Sequence, residues 1–196
     1  MMQNMEEGDL LSLLSTFNCE KDKDIENFLR EKNKAIRFEN LLKARTYLIF
    51  DKEQLERENS GHLIILGYIS LAQKVLSIPE DVSNQFRKKI DGLSAKIHGQ
   101  QITEFPVYLI GQLGRNSGVR PSDLPGKVLL DYADSVISVA MNAVGGRATM
   151  IECHNKKNLI RFYSQNGFQI IGKEPDESSA EKQQMVQMIR IKFVDN

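Results

Sequence analysis

Tryptophan is absent from this 196-residue chain, histidine occurs three times and cysteine only twice. Cys19 and Cys153 lie far apart and form no CxxC, which excludes a disulfide-stapled secreted scaffold and fits a reduced, cytoplasmic setting. His62, His98 and His154 share no metal-ligand spacing, so no zinc or other metal is expected. Net charge is lacking as well. Lys plus Arg and Asp plus Glu number 26 each, so no overall field draws the chain onto nucleic acid or an anionic membrane, although local patches remain open. No apolar run approaches a membrane span. The N-terminal stretch "MMQNMEEGDLLSLLSTF" is acidic before a very short apolar run, the reverse of a secretory signal. Internal repeats and low-complexity tracts are also missing.

What the chain does have is an alternation of helix and strand patterns over a length suited to one domain, 1–196. A short strand is expected near Ser15 to Phe17. Asp22 or Asp24 then caps a helix with apolar residues at Ile25, Phe28, Leu29 and Ile36, running on toward Leu41. "RTYLIFD" (45–51) and "HLIILGYISLA" (62–72) read as a hairpin with its turn around Asn59 to Gly61. Pro79 opens a polar helical insertion at about 79–100, with a stripe of Val82, Phe86, Ile90, Leu93 and Ile97. "PVYLIGQLG" (106–114) is the continuous apolar run of a strand covered on both faces, interrupted at Gly111. A long helix from Gly126 to the Gly145-Gly146 stop follows, then the strand "RATMIEC" and a helix over "IRFYSQNGF". "FQIIG" and "QMVQMIRIKF" close the chain as strands around the charged loop "KEPDESSAEKQ". The order is that of a mixed α/β fold with a helix-covered sheet.

Two places carry chemistry. The join from Gln112 to Leu130, "GRNSGVRPSDLPG" leading into a helix, presents unpaired N–H groups and the positive end of a helix dipole, which suits an anion such as pyrophosphate. Gly126 permits close backbone approach, and Arg120 and Lys127 add charge; the same turn also serves simply to start a helix. The second is Tyr163, whose neighbours Leu159, Ile160 and Phe162 give it a packing role at helical spacing, with Gly167 as the helix stop. Asn155 and Asn158 flank the start of that helix, where Asn155 can act as a cap. Cys153 reads as a small buried hydrophobe.

Taken in order, "FNCEKDKDIENFL", "RTYLIFD", "GYISLA", "PVYLIGQLG", "GKVLL" and "IRFYSQNGF" resemble the GNAT superfamily of acetyl-CoA-dependent N-acetyltransferases, from about Phe17 to Gly172. The front half is most similar to the branch that includes bacterial toxins acetylating the amino acid on charged tRNA. The resemblance implies a mixed sheet splayed between its fourth and fifth strands, with helices on both faces. Main-chain groups of Gln112 and Leu113 would pair with the pantetheine arm of acetyl-CoA like another strand. "LPGKVLL" corresponds to the pyrophosphate loop, with Gly126 as its last glycine. Leu124 stands where its first glycine is expected, and Pro121 where an Arg or Gln is expected, with Arg120 one place earlier.

By the same resemblance Tyr163 is the general acid that protonates the leaving thiolate, a role suited to a phenol with a pKa near ~10. Asn155 and Asn158 match positions where relatives bond the cofactor. No base is assigned: the strand 107–112 has no carboxylate, Glu104 sits just before it, and Glu152 and His154, on one face at the end of the next strand, read as solvated or structural or as reaching the cleft through water. The expected function is acetyl transfer from acetyl-CoA to a primary amine by direct attack. A toxin-type enzyme acting on aminoacyl-tRNA and a non-catalytic acetyl-CoA- or partner-binding module are the alternatives. The acceptor amine is unnamed by the sequence, tRNA and a homodimer are admitted as partners, and an antitoxin partner is left open. The clusters "RKK" (87–89) and "KK" (156–157) are the basic spots that an RNA would use.

Overall fold

The computed structural model describes residues 7–56, 63–171 and 185–192. In chain order the elements are α1 (Glu7–Ser15), α2 (Lys23–Arg30), α3 (Ala35–Asn40), β1 (Arg45–Ile49), α4 (Lys52–Glu56), β2 (Gly67–Ser77), α5 (Asn84–Asp91), β3 (Lys96–Ile97), β4 (Gln100–Gln101), β5 (Glu104–Arg115), α6 (Gly126–Val144), β6 (Ala148–His154), α7 (Lys157–Gln165), β7 (Gln169–Ile170) and β8 (Met185–Ile191). Six strands form one mixed sheet in the order β1-β2-β5-β6-β8-β7. Within it β5 and β6 are parallel, while β1 with β2, β6 with β8 and β7 with β8 are antiparallel. The expected turn at Asn59 to Gly61 and the loop "KEPDESSAEKQ" lie outside the described residues.

The chain divides into two compact units, 1–72 with 111–136 and 73–110 with 137–196, so that β2, β5 and α6 each pass from one to the other. The first unit is built on aromatic rings. Phe17 meets Tyr68 edge-on at 5.1 Å, Phe28 stacks on Tyr68 at 6.4 Å, and the Tyr68 hydroxyl donates to the Ile25 carbonyl at 2.6 Å. Leu10, Leu14, Leu29 and Ile65 complete this core. Gly114 is required here by space: a Cβ would lie 2.6 Å from the Ile25 side chain and 2.7 Å from the Tyr68 ring. Asp22 caps α2 as its sequence position predicts, accepting from the amides of Asp24 and Ile25. The expected strand at Ser15 to Phe17 is instead the end of α1 and a turn, closed by the Thr16 and Phe17 amides on the Leu13 and Leu14 carbonyls.

The second unit is aliphatic. Leu76, Ile78, Val82, Ile90, Ile102, Val107, Met150, Ile189 and Ile191 pack together, and β6 pairs with β8 over seven residue pairs, Ala148↔Ile191 to His154↔Met185. The helical insertion expected at 79–100 is shorter than its apolar stripe suggests. α5 stops at Gly92, whose φ of 93° lets its amide close on the Lys88 carbonyl, and a two-strand hairpin of β3 and β4 follows. Leu93 and Ile97, which the helical stripe would bury, are 86% and 56% exposed. The insertion is fastened by Arg87, 1% exposed, whose guanidinium donates to the main-chain carbonyls of Val82, Pro79 and Ile102. This removes Arg87 from the "RKK" surface cluster.

Candidate active site

The end of β5, its following loop and the start of α6 form a continuous path in the first unit, which β5 enters at Gly111. The β5–β6 ladder spans Tyr108–Ile110 against Thr149–Ile151, and β5 continues to Arg115 with Gln112 and Leu113 half-buried on it. Asn116 then anchors the loop: its side-chain amide donates to the carbonyls of Thr16 (2.9 Å) and Ile65 (2.8 Å), while its oxygen accepts from Gly118. Leu124 is buried and its carbonyl accepts from Arg115, which accounts for an apolar residue where the resemblance expects a glycine.

α6 begins at Gly126 as the sequence predicts. The amides of Val128 and Leu129 turn back to the Pro125 carbonyl, leaving those of Gly126 and Lys127 at the open helix end, where no intrahelical acceptor exists. The expected cationic helpers are engaged locally. Arg120 pairs with Asp123 at 2.8 Å, which holds the Asp123 carboxyl below its usual range, and Lys127 pairs with Asp131 one turn on. Both pairs are solvent-exposed and exchange readily with water and ions.

The second unit holds Tyr163, Asn155 and Asn158. Alternation along β6 buries Cys153 on one side and directs Glu152 to the other. Tyr163, on α7, lies on the Cys153 side and is fenced by Phe162 at 5.0 Å and Phe168 at 5.7 Å, both edge-on. Burial, with a smaller contribution from Cys153, pushes the Tyr163 phenol up to about 12, and burial alone pushes the Cys153 thiol up to about 11. The exit of α7 is fixed by Gly167, at φ 84°, and by Arg190, which lies 4.4 Å over the Phe168 ring and donates to the Asn166 carbonyl. Gly167 and Arg190 thus fix the end of the helix that carries Tyr163. The capping role open to Asn155 is not realised: the N-cap of α7 is Lys156, without a side-chain bond, while Asn155 is half-buried and Asn158 exposed.

Sequence reading left Glu152 unassigned, and the structure fixes it firmly. Lys74 donates to both carboxylate oxygens at 2.8 Å and Gln187, its β8 ladder partner, to Oε1 at 2.8 Å. Burial raises this carboxyl, but the bonds from Lys74 and Gln187 and the Lys74 charge outweigh it, so the group stays below the usual carboxylate range. Nothing local announced this pairing, since Lys74 is 78 residues away.

No protein-family model and no curated protein matches the sequence. Solved structures do. AtaT complexed with acetyl-methionyl-tRNAfMet aligns over 89% of this chain and 85% of its own, at 19% identity and a TM-score of 0.60. A tyrosine-to-phenylalanine mutant of KacT aligns over 89% and 85%, at 20% identity and a TM-score of 0.61. AtaTR bound with AcCoA aligns over 89% and 84%, at 21% identity and a TM-score of 0.58.

Proposed function

We propose that this chain, which has the fold of the GNAT acyltransferases, transfers an acetyl group from acetyl-CoA to a primary amine with Tyr163 as general acid. The observation that carries the reading is the setting of Tyr163: a phenol held between two rings beside a desolvated thiol, on the helix after β6. Raised to about 12, it stays protonated across the physiological range and serves as a donor, never as a base.

In this reading the acceptor nitrogen attacks the thioester carbon, a main-chain amide near Leu113 holds the resulting oxyanion, and the carbon–sulfur bond breaks toward Tyr163. The amine's surplus proton leaves to water. Proton transfer from so weak an acid to an ordinary thiolate, of pKa about 8.5, would run uphill. The surroundings narrow that gap in direction: the burial that lifts the Cys153 thiol to about 11 would also raise a thiolate desolvated beside it. Gln112 and Leu113 would pair with the pantetheine arm, and Gly126, Lys127 and Arg120 would meet the pyrophosphate, with Asn155 and Asn158 as further contacts to the cofactor. AcCoA named with one structural neighbour supports that choice of cosubstrate. No residue here is proposed to hold a metal.

A charged tRNA is the acceptor we favour, because AtaT was solved with acetyl-methionyl-tRNAfMet and the α-amine of an aminoacyl ester is a weak base that needs little deprotonation. Lys156 and Lys157 are exposed and can meet phosphates, whereas Arg87 cannot. The fold of neighbours named with an antitoxin C-terminus also supports a protein partner of that kind, and a homodimer is a further arrangement to test. The deciding experiment is release of free coenzyme A from acetyl-CoA in the presence of charged total tRNA and of a panel of small amines, for wild type and Tyr163→Phe. Transfer by wild type that drops on the order of a hundredfold in Tyr163→Phe supports the reading. Binding of acetyl-CoA with no transfer to any amine favours the non-catalytic module instead.

A further inference from the structure

The transferase reading leaves the acceptor's nitrogen without a partner, and the second unit contains a group built to receive it. The β5–β6 ladder ends at the pair Ile110↔Ile151, and the next residue on β6 is Glu152. Tyr163 lies on the Cys153 side of β6, so alternation puts Glu152 on the opposite side of the strand from the group that serves the leaving sulfur. Glu152 therefore does not compete with Tyr163 for the position of the leaving sulfur.

Glu152 is also held for use. Lys74 reaches it from β2, two places away in the strand order, and donates to both of its oxygens. Gln187 donates to Oε1 only. A carboxylate offers about four lone-pair positions; among the described residues these bonds take three of them, two on Oε1 and one on Oε2. With its side chain 29% exposed, the group is reachable from solvent. An ionised carboxylate reachable from solvent fits an N–H donor, not an anion. The Lys74 ammonium offsets the Glu152 charge, so the pair favours the ammonium form of an arriving amine less than a bare carboxylate would. A plain surface ion pair would need neither the reach across the sheet nor the third donor.

We propose that Glu152, fixed by Lys74 and Gln187, positions the acceptor: its Oε2 accepts an N–H of the incoming primary amine and orients the nitrogen lone pair toward the thioester. This rests on the transferase reading above. Glu152 orients the amine and does not take its proton.

The test uses the full chain with acetyl-CoA and charged total tRNA. Glu152→Gln keeps the shape and removes the charge. Its apparent KM for charged tRNA should rise about tenfold or more, and kcat should fall as orientation is lost, while the KM for acetyl-CoA stays within about twofold. Glu152→Asp should recover part of the loss. The exchange Lys74→Glu with Glu152→Lys rebuilds the ion pair with its signs reversed: a purely structural pair predicts normal acceptor KM, whereas amine positioning predicts no recovery. Should Glu152→Gln fail to fold, the exchanged pair decides alone. An unchanged acceptor KM in Glu152→Gln, or full recovery in the exchanged pair, overturns the assignment while leaving the transferase reading intact. Wild type that moves acetyl to no amine overturns both.

Discussion

The two compact units solve the same packing problem with different materials. The first relies on rings and on close backbone approach at Gly114, and a buried amide, Asn116, helps fasten its loop. The second relies on branched aliphatic chains over a long antiparallel ladder, and its fastener is a buried cation, Arg87, aimed at carbonyls. Rings and glycines tolerate little change of volume, whereas a ladder distributes its bonds over many residues, so damage to the first unit should be local in origin and severe in effect. The proposed cofactor contacts on β5 and at α6 lie in the first unit and the proposed acid in the second. Binding and chemistry should therefore respond to different substitutions.

The largest effect is expected from Gly114→Val, which forces side-chain atoms into Ile25 and Tyr68; a loss of more than ~4 kcal/mol, seen as absence of a cooperative melt, is predicted. Arg87→Met in the second unit strips donors from the carbonyls that close the insertion and should cost about 3 kcal/mol in denaturant titration. An Arg87→Met protein as stable as wild type would show that the aliphatic core holds the insertion unaided. Tyr163→Phe should leave the melt almost unmoved and reduce kcat roughly a hundredfold; full activity would return Tyr163 to a packing role beside Phe162 and Phe168. Gly126→Val should weaken coenzyme A binding by about tenfold in calorimetric titration, far more than it shifts the melt. The smallest change belongs to Arg120→Ala: its ion pair is exposed, so the melting temperature should not move, and any loss of coenzyme A affinity should vanish at high salt.

Legibility followed the range of the interactions. The start of α6 at Gly126, its end before Gly145-Gly146, the cap at Asp22 and the glycine after α7 were readable because each depends on a few adjacent residues. The order of β1, β2, β5, α6, β6, α7, β7 and β8 was readable from the same local periods, whereas the end of α1 was read as a strand and the β3–β4 hairpin as helix. The insertion was misread where a continuing apolar stripe outweighed the stop signal of Gly92, and Arg87 was misread because an arginine followed by two lysines has the pattern of a solvated face. At the candidate site, the elements carrying Gln112, Leu113, Gly126 and Tyr163 were legible. The fixation of Glu152 by Lys74 was not, since it joins residues far apart in the chain through tertiary structure alone.

The sparse cysteine of this chain has a practical consequence. Cys19 lies buried in the first unit and Cys153 in the second, both as free thiols, and burial lifts both above the ordinary thiol range. Each therefore reacts with an alkylating reagent chiefly when its own surroundings open, so that two labelling rates, read separately by peptide mass, time the breathing of the two units without any engineered probe. A bound cofactor that steadies the β5–α6 path should slow the labelling of Cys19, and an acceptor held at Glu152 should slow that of Cys153, its neighbour on β6.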